Sequence, residues 1–234
     1  VNPALIGRAK LRYASGQAIV VCDGNSLTKG DFATSAAQSY PSVLATLPPI
    51  STNGTPVTNL GVSGQTAAQM LSSRADVTAA YNSGKVCVLV AWELVNSIYN
   101  GRTPQQAVDD LLLYVSTVKS ENPWHVAVCT QPPAYVNKLS DAGVLNQTTV
   151  DAMNADLNSA NAKLRAQWAG TANRLIDLSY AGGPFDLTSY TATTFDNTGL
   201  YHQEASGWRI HLSDAGYAAV AAIVANGLRQ MPAR

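Results

Sequence analysis

The sequence is poor in charge. Lys and Arg supply 15 of its 234 residues and Asp and Glu another 15, so only 13% of the chain is charged and the formal net charge is zero. An ordinary soluble domain carries about a quarter charged residues. A protein that grips nucleic acid by neutralising phosphates needs a basic excess, and an acidic solvating tail needs the opposite one; both are excluded. Long apolar runs are lacking as well. The longest, Val86 to Trp92 and Ala218 to Ala225, fall far short of the ~20 residues of a membrane span. Cysteine is scarce and odd in number. Cys22, Cys87 and Cys129 each lie in or at the end of an apolar run and read as buried thiols acting as small hydrophobes. With no Cys-x-x-Cys pair and no His-x-x-x-His, the sequence implies no metal and no cofactor. Gly-x-Gly-x-x-Gly and Gly-Lys-Ser/Thr are absent too, so no standard phosphate cradle is present.

What remains is a globular composition. Hydrophobic residues make up 46% of the chain, too many for a disordered one, and the length suffices to bury roughly 70% of the unfolded surface. Ser, Thr, Asn, Gln and Gly must cover most of the exterior. Such a neutral polar surface leads us to expect an extracellular or particle-associated protein. The chain starts at Val1 rather than Met, and the expectation is a polypeptide processed or cut from something longer.

Short apolar runs alternate with longer stretches of helical period. Ala18 to Cys22, Val57 to Leu60, Val86 to Trp92, His125 to Thr130 and Arg174 to Leu178 read as five strands, four of them continuous enough to be covered on both faces. Thr103 followed by Pro104 opens a helix whose Val108, Leu111, Leu112, Val115 and Val118 share one face. Val150, Met153, Leu157, Asn161, Leu164 and Trp168 form a second stripe, and Ser213 caps a third helix with Asp214 in its first turn. Strands alternating with helices predict a parallel sheet. The expected architecture is a single domain over residues 1–234, its core at about 18–229, folded as a three-layer α/β/α sandwich on a five-stranded parallel sheet. Two long segments, Gln131 to Leu145 and Ser179 to Arg209, leave the carboxyl ends of strands four and five, where open α/β sheets place their ligand sites.

Four groups of residues stand at such strand ends. The first strand runs into Asp23-Gly24-Asn25-Ser26-Leu27, a serine on an exposed turn where a nucleophile and its oxyanion donors can assemble. The second runs into Asn59-Leu60-Gly61-Val62-Ser63-Gly64-Gln65-Thr66, a Gly-rich turn opening a helix. Trp92-Glu93-Leu94-Val95-Asn96-Ser97 follows the third, and His211-Leu212-Ser213-Asp214-Ala215-Gly216-Tyr217 leads into the last helix. Each has a bland reading, an ordinary connection or cap. Together and in this order they resemble the GDSL or SGNH hydrolase family, named for Ser, Gly, Asn and His blocks, and the resemblance runs from about Ile19 to Leu228.

The resemblance implies a flavodoxin-like SGNH hydrolase fold and a serine esterase. Ser26 would be the nucleophile and His211 its general base, with the Gly64 and Ser26 N–H groups and the Asn96 side chain as the oxyanion hole. Three places depart from the family pattern. Asn25 replaces the Asp of Gly-Asp-Ser-Leu; Leu94-Val95-Asn96-Ser97 replaces Gly-x-Asn-Asp; and Trp208 occupies the position, three before the histidine, where an acid usually orients the imidazole. Some family members use a backbone carbonyl there, so the expectation is a Ser-His dyad in which the Trp208 carbonyl accepts the Nδ1 proton. A displaced acid, Glu93, Glu204 or Asp196, is the rival, and a decayed site the third reading. Of the other histidines, His125 begins a strand and reads as structural.

Phe185, Tyr190, Phe195, Tyr201 and Trp208 lie among Thr, Gly and Asn in the loop after the fifth strand. Aromatic faces beside hydrogen-bonding groups suit a sugar ring better than a long acyl chain, and the expected substrate is a small ester or an acylated carbohydrate, an O-acetyl group above all. Glu93, Tyr201 and His202 are the expected substrate contacts. The rival functions are a catalytically degenerate glycan-binding module of a larger extracellular or phage-tail protein, and a flavodoxin-like phosphate binder using the turn from Gly24 to Lys29.

Overall fold

A computed structural model describes residues 16–141 and 143–231 of the chain. Its strands are β1 (Ala18–Gly24), β2 (Val57–Asn59), β3 (Val86–Trp92), β4 (His125–Cys129) and β5 (Arg174–Ile176), and its α-helices are α1 (Ser26–Lys29), α2 (Tyr40–Thr46), α3 (Ala67–Ser73), α4 (Ala75–Ala80), α5 (Val95–Tyr99), α6 (Pro104–Glu121), α7 (Gln147–Gln167), α8 (Ala192–Thr198) and α9 (Asp214–Arg229). All strand pairs are parallel, in the order β2-β1-β3-β4-β5. Helices α2 and α9 pack together on one side, α3, α6 and α7 on the other, giving the three-layer α/β/α arrangement expected of the alternating pattern.

The apolar runs form strands because β-branched residues fill both faces. Val20, Val21, Val88, Leu89, Val90, Val126 and Val128 are buried between the helical layers. The second strand is not covered on both faces: Val57 is half-buried and Thr58 and Asn59 are exposed, because β2 is an edge. β1 runs two residues past its expected end, as Asp23 and Gly24 continue the register against Ala91 and Trp92. β5 stops two residues early, at Ile176. The three cysteines are free and buried.

The expected caps form. Thr103 accepts from the Gln106 N–H and Gln106 returns to the Thr103 N–H, a reciprocal box that starts α6 with Pro104 in its first turn. Ser213 accepts from the Gly216 N–H at the start of α9. Helix α7 carries two inward asparagines on its apolar stripe. Asn154 pairs with both the N–H and C=O of Ala134, and Asn161 does the same for Gln131, at 2.7–3.0 Å. Each amide imitates a peptide group and satisfies buried backbone that has no strand partner. In this way α7 fixes the segment after β4 over the carboxyl end of the sheet.

Candidate active site

Connections from β1 and β3 leave toward opposite edges of the sheet, so the crevice at their carboxyl ends is a topological switch point. Ser26 sits there. Asn25, just beyond β1, accepts the Leu27 N–H at 2.9 Å and caps the single-turn helix α1, of which Ser26 is the first residue. The turn after β2 closes in from the side. Asn59 accepts the Gly61 N–H at 3.0 Å and donates to the Lys29 carbonyl at 3.2 Å. A Cβ on Gly61 would lie 2.2 Å from the Lys29 nitrogen, so only glycine allows this approach. Gly64 adopts φ +75°. The Ser26 and Gly64 N–H groups have no hydrogen-bond acceptor among the described residues.

Beyond β3, Glu93 is wholly buried. Its carboxylate accepts from the N–H groups of Ala67, Asn96 and Ser97 at 3.0, 2.7 and 3.1 Å and from the Ser97 hydroxyl at 2.7 Å. Burial raises its pKa, against the lowering effect of these donors. The carboxylate thus ties the start of α3 to the start of α5. Asn96, seated on α5, donates from Nδ2 to the Gln65 carbonyl at 3.1 Å.

The histidine arrives on a hairpin. Ser213 N–H donates to Leu200 at 2.9 Å, His202 N–H to His211 at 3.0 Å, and Tyr201 bridges Leu212. In such a ladder His202 and His211 face each other, and Glu204, two residues on, shares their side as a diagonal neighbour within reach of a long side chain. Glu204 Oε1 lies 2.8 Å from His211 Nδ1, and His211 Nε2 lies 2.9 Å from Ser26 Oγ. The Glu204 and His211 side chains are only 11% and 14% exposed, so water screens their pairing little. A carboxylate at Nδ1 favours the proton on that nitrogen and leaves Nε2 to accept from the serine hydroxyl. The hairpin itself is anchored. Arg209 grips Asp196 of α8 through Nε and Nη2 at 2.8 and 3.0 Å, and its backbone pairs with Tyr135.

A cavity of about 170 Å³ opens beside the serine, lined among others by Ser26, Gly64, Asn96, Tyr99, Trp208 and His211. Asp31 stands at its edge, where its carboxylate pairs with Lys29 at 3.2 Å and accepts from the Ser63 hydroxyl. A serine hydroxyl, an imidazole with its carboxylate, two unengaged N–H groups and a side-chain amide therefore converge on one small space, the kinds of group that acyl transfer requires.

Several expected positions are corrected. The Trp208 carbonyl does not meet Nδ1, because it accepts the Glu204 N–H at 3.0 Å across the hairpin turn; the Trp208 side chain instead lines the cavity and packs on Tyr99. Glu93 touches no substrate space, being enclosed by the backbone it satisfies. Asp196 is occupied by Arg209. Tyr201 is buried, with its hydroxyl donating to Pro133 and its ring on Phe195. His202 lies against Phe32, outside the cavity lining. Of the five loop aromatics only Trp208 faces the cavity, while Phe185 and Phe195 join the core. Sequence reasoning missed Tyr99, Val136 and Ile210 in the lining. It also missed Phe32, whose ring contacts His211 and whose place in a left-handed turn has no signature in an Asp-Phe-Ala triplet.

The sequence pattern of the GDSL-like Lipase/Acylhydrolase family matches residues 22–219. No curated protein matches the chain. Among solved structures it is similar to a member of the lipolytic protein G-D-S-L family from Veillonella parvula, at 16% identity and a TM-score of 0.64 over 89% of this chain and 97% of that one. The native aryl esterase of M. smegmatis is similar at 16% identity and a TM-score of 0.60, covering 91% and 99%. A carbohydrate acetylesterase from Sinorhizobium meliloti is similar at 16% identity and a TM-score of 0.58, covering 90% and 97%.

Proposed function

The chain belongs to the GDSL-like lipase/acylhydrolase family and so to the carboxylic ester hydrolases, and within that class we propose a serine esterase that removes short acyl groups, O-acetyl above all, through a Ser26–His211–Glu204 triad. The observation that carries the reading is the continuous chain from Glu204 Oε1 through the imidazole to Ser26 Oγ, at 2.8 and 2.9 Å.

His211 Nε2 takes the Ser26 proton as Oγ attacks the ester carbonyl, and the imidazolium is balanced by Glu204. The carbonyl oxygen becomes an oxyanion, received by the Ser26 and Gly64 N–H groups and the Asn96 amide; removing one such donor typically costs about 3 kcal/mol of barrier. The tetrahedral adduct collapses, the C–O bond to the alcohol breaks, and His211 returns its proton to the departing oxygen. Water, activated by the same nitrogen, then attacks the acyl-serine and releases the acid.

Cavity size argues for short acyl groups. About 170 Å³ is well below the ~300–1,000 Å³ of sites that enclose drug-sized ligands, and a long chain would be left in water. Trp208 on the cavity wall, with Tyr99 edge-on at 5.9 Å, offers an aromatic face to a carbohydrate alcohol. The neutral polar exterior suits an extracellular or particle-associated setting. A degenerate glycan-binding module would have no need of the aligned base and acid. Hydrolysis of p-nitrophenyl acetate, octanoate and palmitate tests the reading, with acetate expected to be fastest and preference for palmitate overturning it. A serine-reactive phosphonate is expected to modify Ser26, and a folded sample left unlabelled would favour the binding module.

A further inference from the structure

Phe32 is the one non-glycine residue with positive φ among those described, at +66°. A bulky L-residue is disfavoured there by its own Cβ. Burial does not offset this, since Phe32 is 49% exposed. The conformation is imposed from both sides. The N–H groups of Gly30 and Asp31 converge on the Ser26 carbonyl at 2.9 and 3.0 Å. From α9, the Tyr217 hydroxyl donates to the Asp31 carbonyl at 2.7 Å, and Asp214 accepts the Thr34 N–H at 2.9 Å. Glycine would satisfy this turn without strain, yet the sequence places an aromatic ring in it. That ring rests on two imidazoles, with centroids 4.7 Å from His211 and 4.9 Å from His202, both at an interplanar angle of 31°.

We propose that Phe32 is a positioning residue for His211: the strained turn presses its ring on the imidazole face and keeps Nε2 aimed at Ser26 while the proton is transferred. The inference rests on the reading of Ser26 and His211 as nucleophile and base. Hydrogen bonds to Glu204 and Ser26 hold the imidazole only at its two nitrogens, and a ring can still rock about the line joining them. Contact on the face removes that freedom, and a misplacement of about 1 Å is enough to slow a reaction a hundredfold. Phe32 does not line the cavity, so its effect reaches substrate through His211.

The test is p-nitrophenyl acetate kinetics and thermal unfolding of wild type, Phe32→Gly and Phe32→Tyr. Glycine accepts the positive φ, so Phe32→Gly is expected to hold or raise Tm while kcat falls about tenfold with KM within about twofold. Phe32→Tyr, which keeps the ring, is expected to retain at least about half of kcat. Wild-type kcat in Phe32→Gly would overturn the inference and leave the esterase reading intact. A rise in KM at constant kcat would do the same, because it would make Phe32 a substrate contact. Failure of Phe32→Tyr to rescue kcat would also overturn it. An inactive wild type would overturn both readings together.

Discussion

Glu204 and His211 are seven residues apart in sequence and meet at 2.8 Å, because the hairpin folds one onto the side of the other. Trp208, between them, uses its carbonyl to close the hairpin turn on the Glu204 N–H. The acid therefore comes from the opposite arm instead of from the position three before the histidine. What the imidazole requires is an acceptor at Nδ1, and here the opposite arm of the hairpin supplies it.

Replacing Glu204 separates a triad from a dyad. Gln keeps the length and offers an oxygen to the Nδ1 proton, but it cannot balance the imidazolium and can present its NH₂ instead. Glu204→Gln is expected to lower kcat for p-nitrophenyl acetate by about 10²–10⁴-fold with little change in KM. Trp208→Ala leaves the backbone carbonyl in place and is expected to keep kcat within about tenfold of wild type. A fully active Glu204→Gln variant would return the carbonyl dyad to favour.

Asn96 is the side-chain donor of the proposed oxyanion hole, and its amide also donates to the Gln65 carbonyl. Asn96→Ala is expected to reduce kcat by about 10²–10³-fold and stability by only about 1 kcal/mol, for the lost hydrogen bond. Steady-state kinetics alongside urea unfolding checks both. A large loss of stability with kcat preserved in the folded fraction would make Asn96 a structural residue.

Much of the molecule is legible from local pattern, and the exceptions share a cause. The β-branched runs around Val20, Val88 and Val126 and the caps at Thr103 and Ser213 depend on neighbours within a few residues, so periodicity and capping chemistry find them. Ser26, Gly64, Asn96 and His211 stand out because each follows a strand or opens a helix, and the structure brings all four to one cavity. For the partner of Nδ1 the sequence points first to the Trp208 carbonyl, with Glu93, Glu204 and Asp196 as rivals, and this misleads because hairpin register is tertiary information; only the pairing of His202 with His211 decides for Glu204. Glu93 has the same kind of strand-end position as Ser26, yet N–H groups converging from α3 and α5 enclose it. Sequence position alone cannot tell a carboxylate that faces substrate from one that holds two helices together.

Asp23 gives the fold a measurable pH dependence. It is buried on β1, accepting the Tyr114 hydroxyl at 2.5 Å and the Gly24 N–H at 2.9 Å. Burial pushes its pKa up to about 6 from 3.8, although both hydrogen bonds pull the other way. Between those values the folded protein keeps a proton that the unfolded chain has lost, so stability falls as pH rises through this window. The loss is on the order of 3 kcal/mol, complete somewhat above pH 6. Asn at this position accepts from Gly24 and donates to the Tyr114 oxygen without a charge. Asp23→Asn is therefore expected to gain stability relative to wild type as pH rises from about 4 to about 7, by up to that amount. Glu93, whose pKa is also raised by burial, contributes equally to both proteins and cancels in the comparison. Urea unfolding at several pH values measures the difference, and parallel curves for the two proteins would show that Asp23 ionises in the folded state as readily as in the unfolded one.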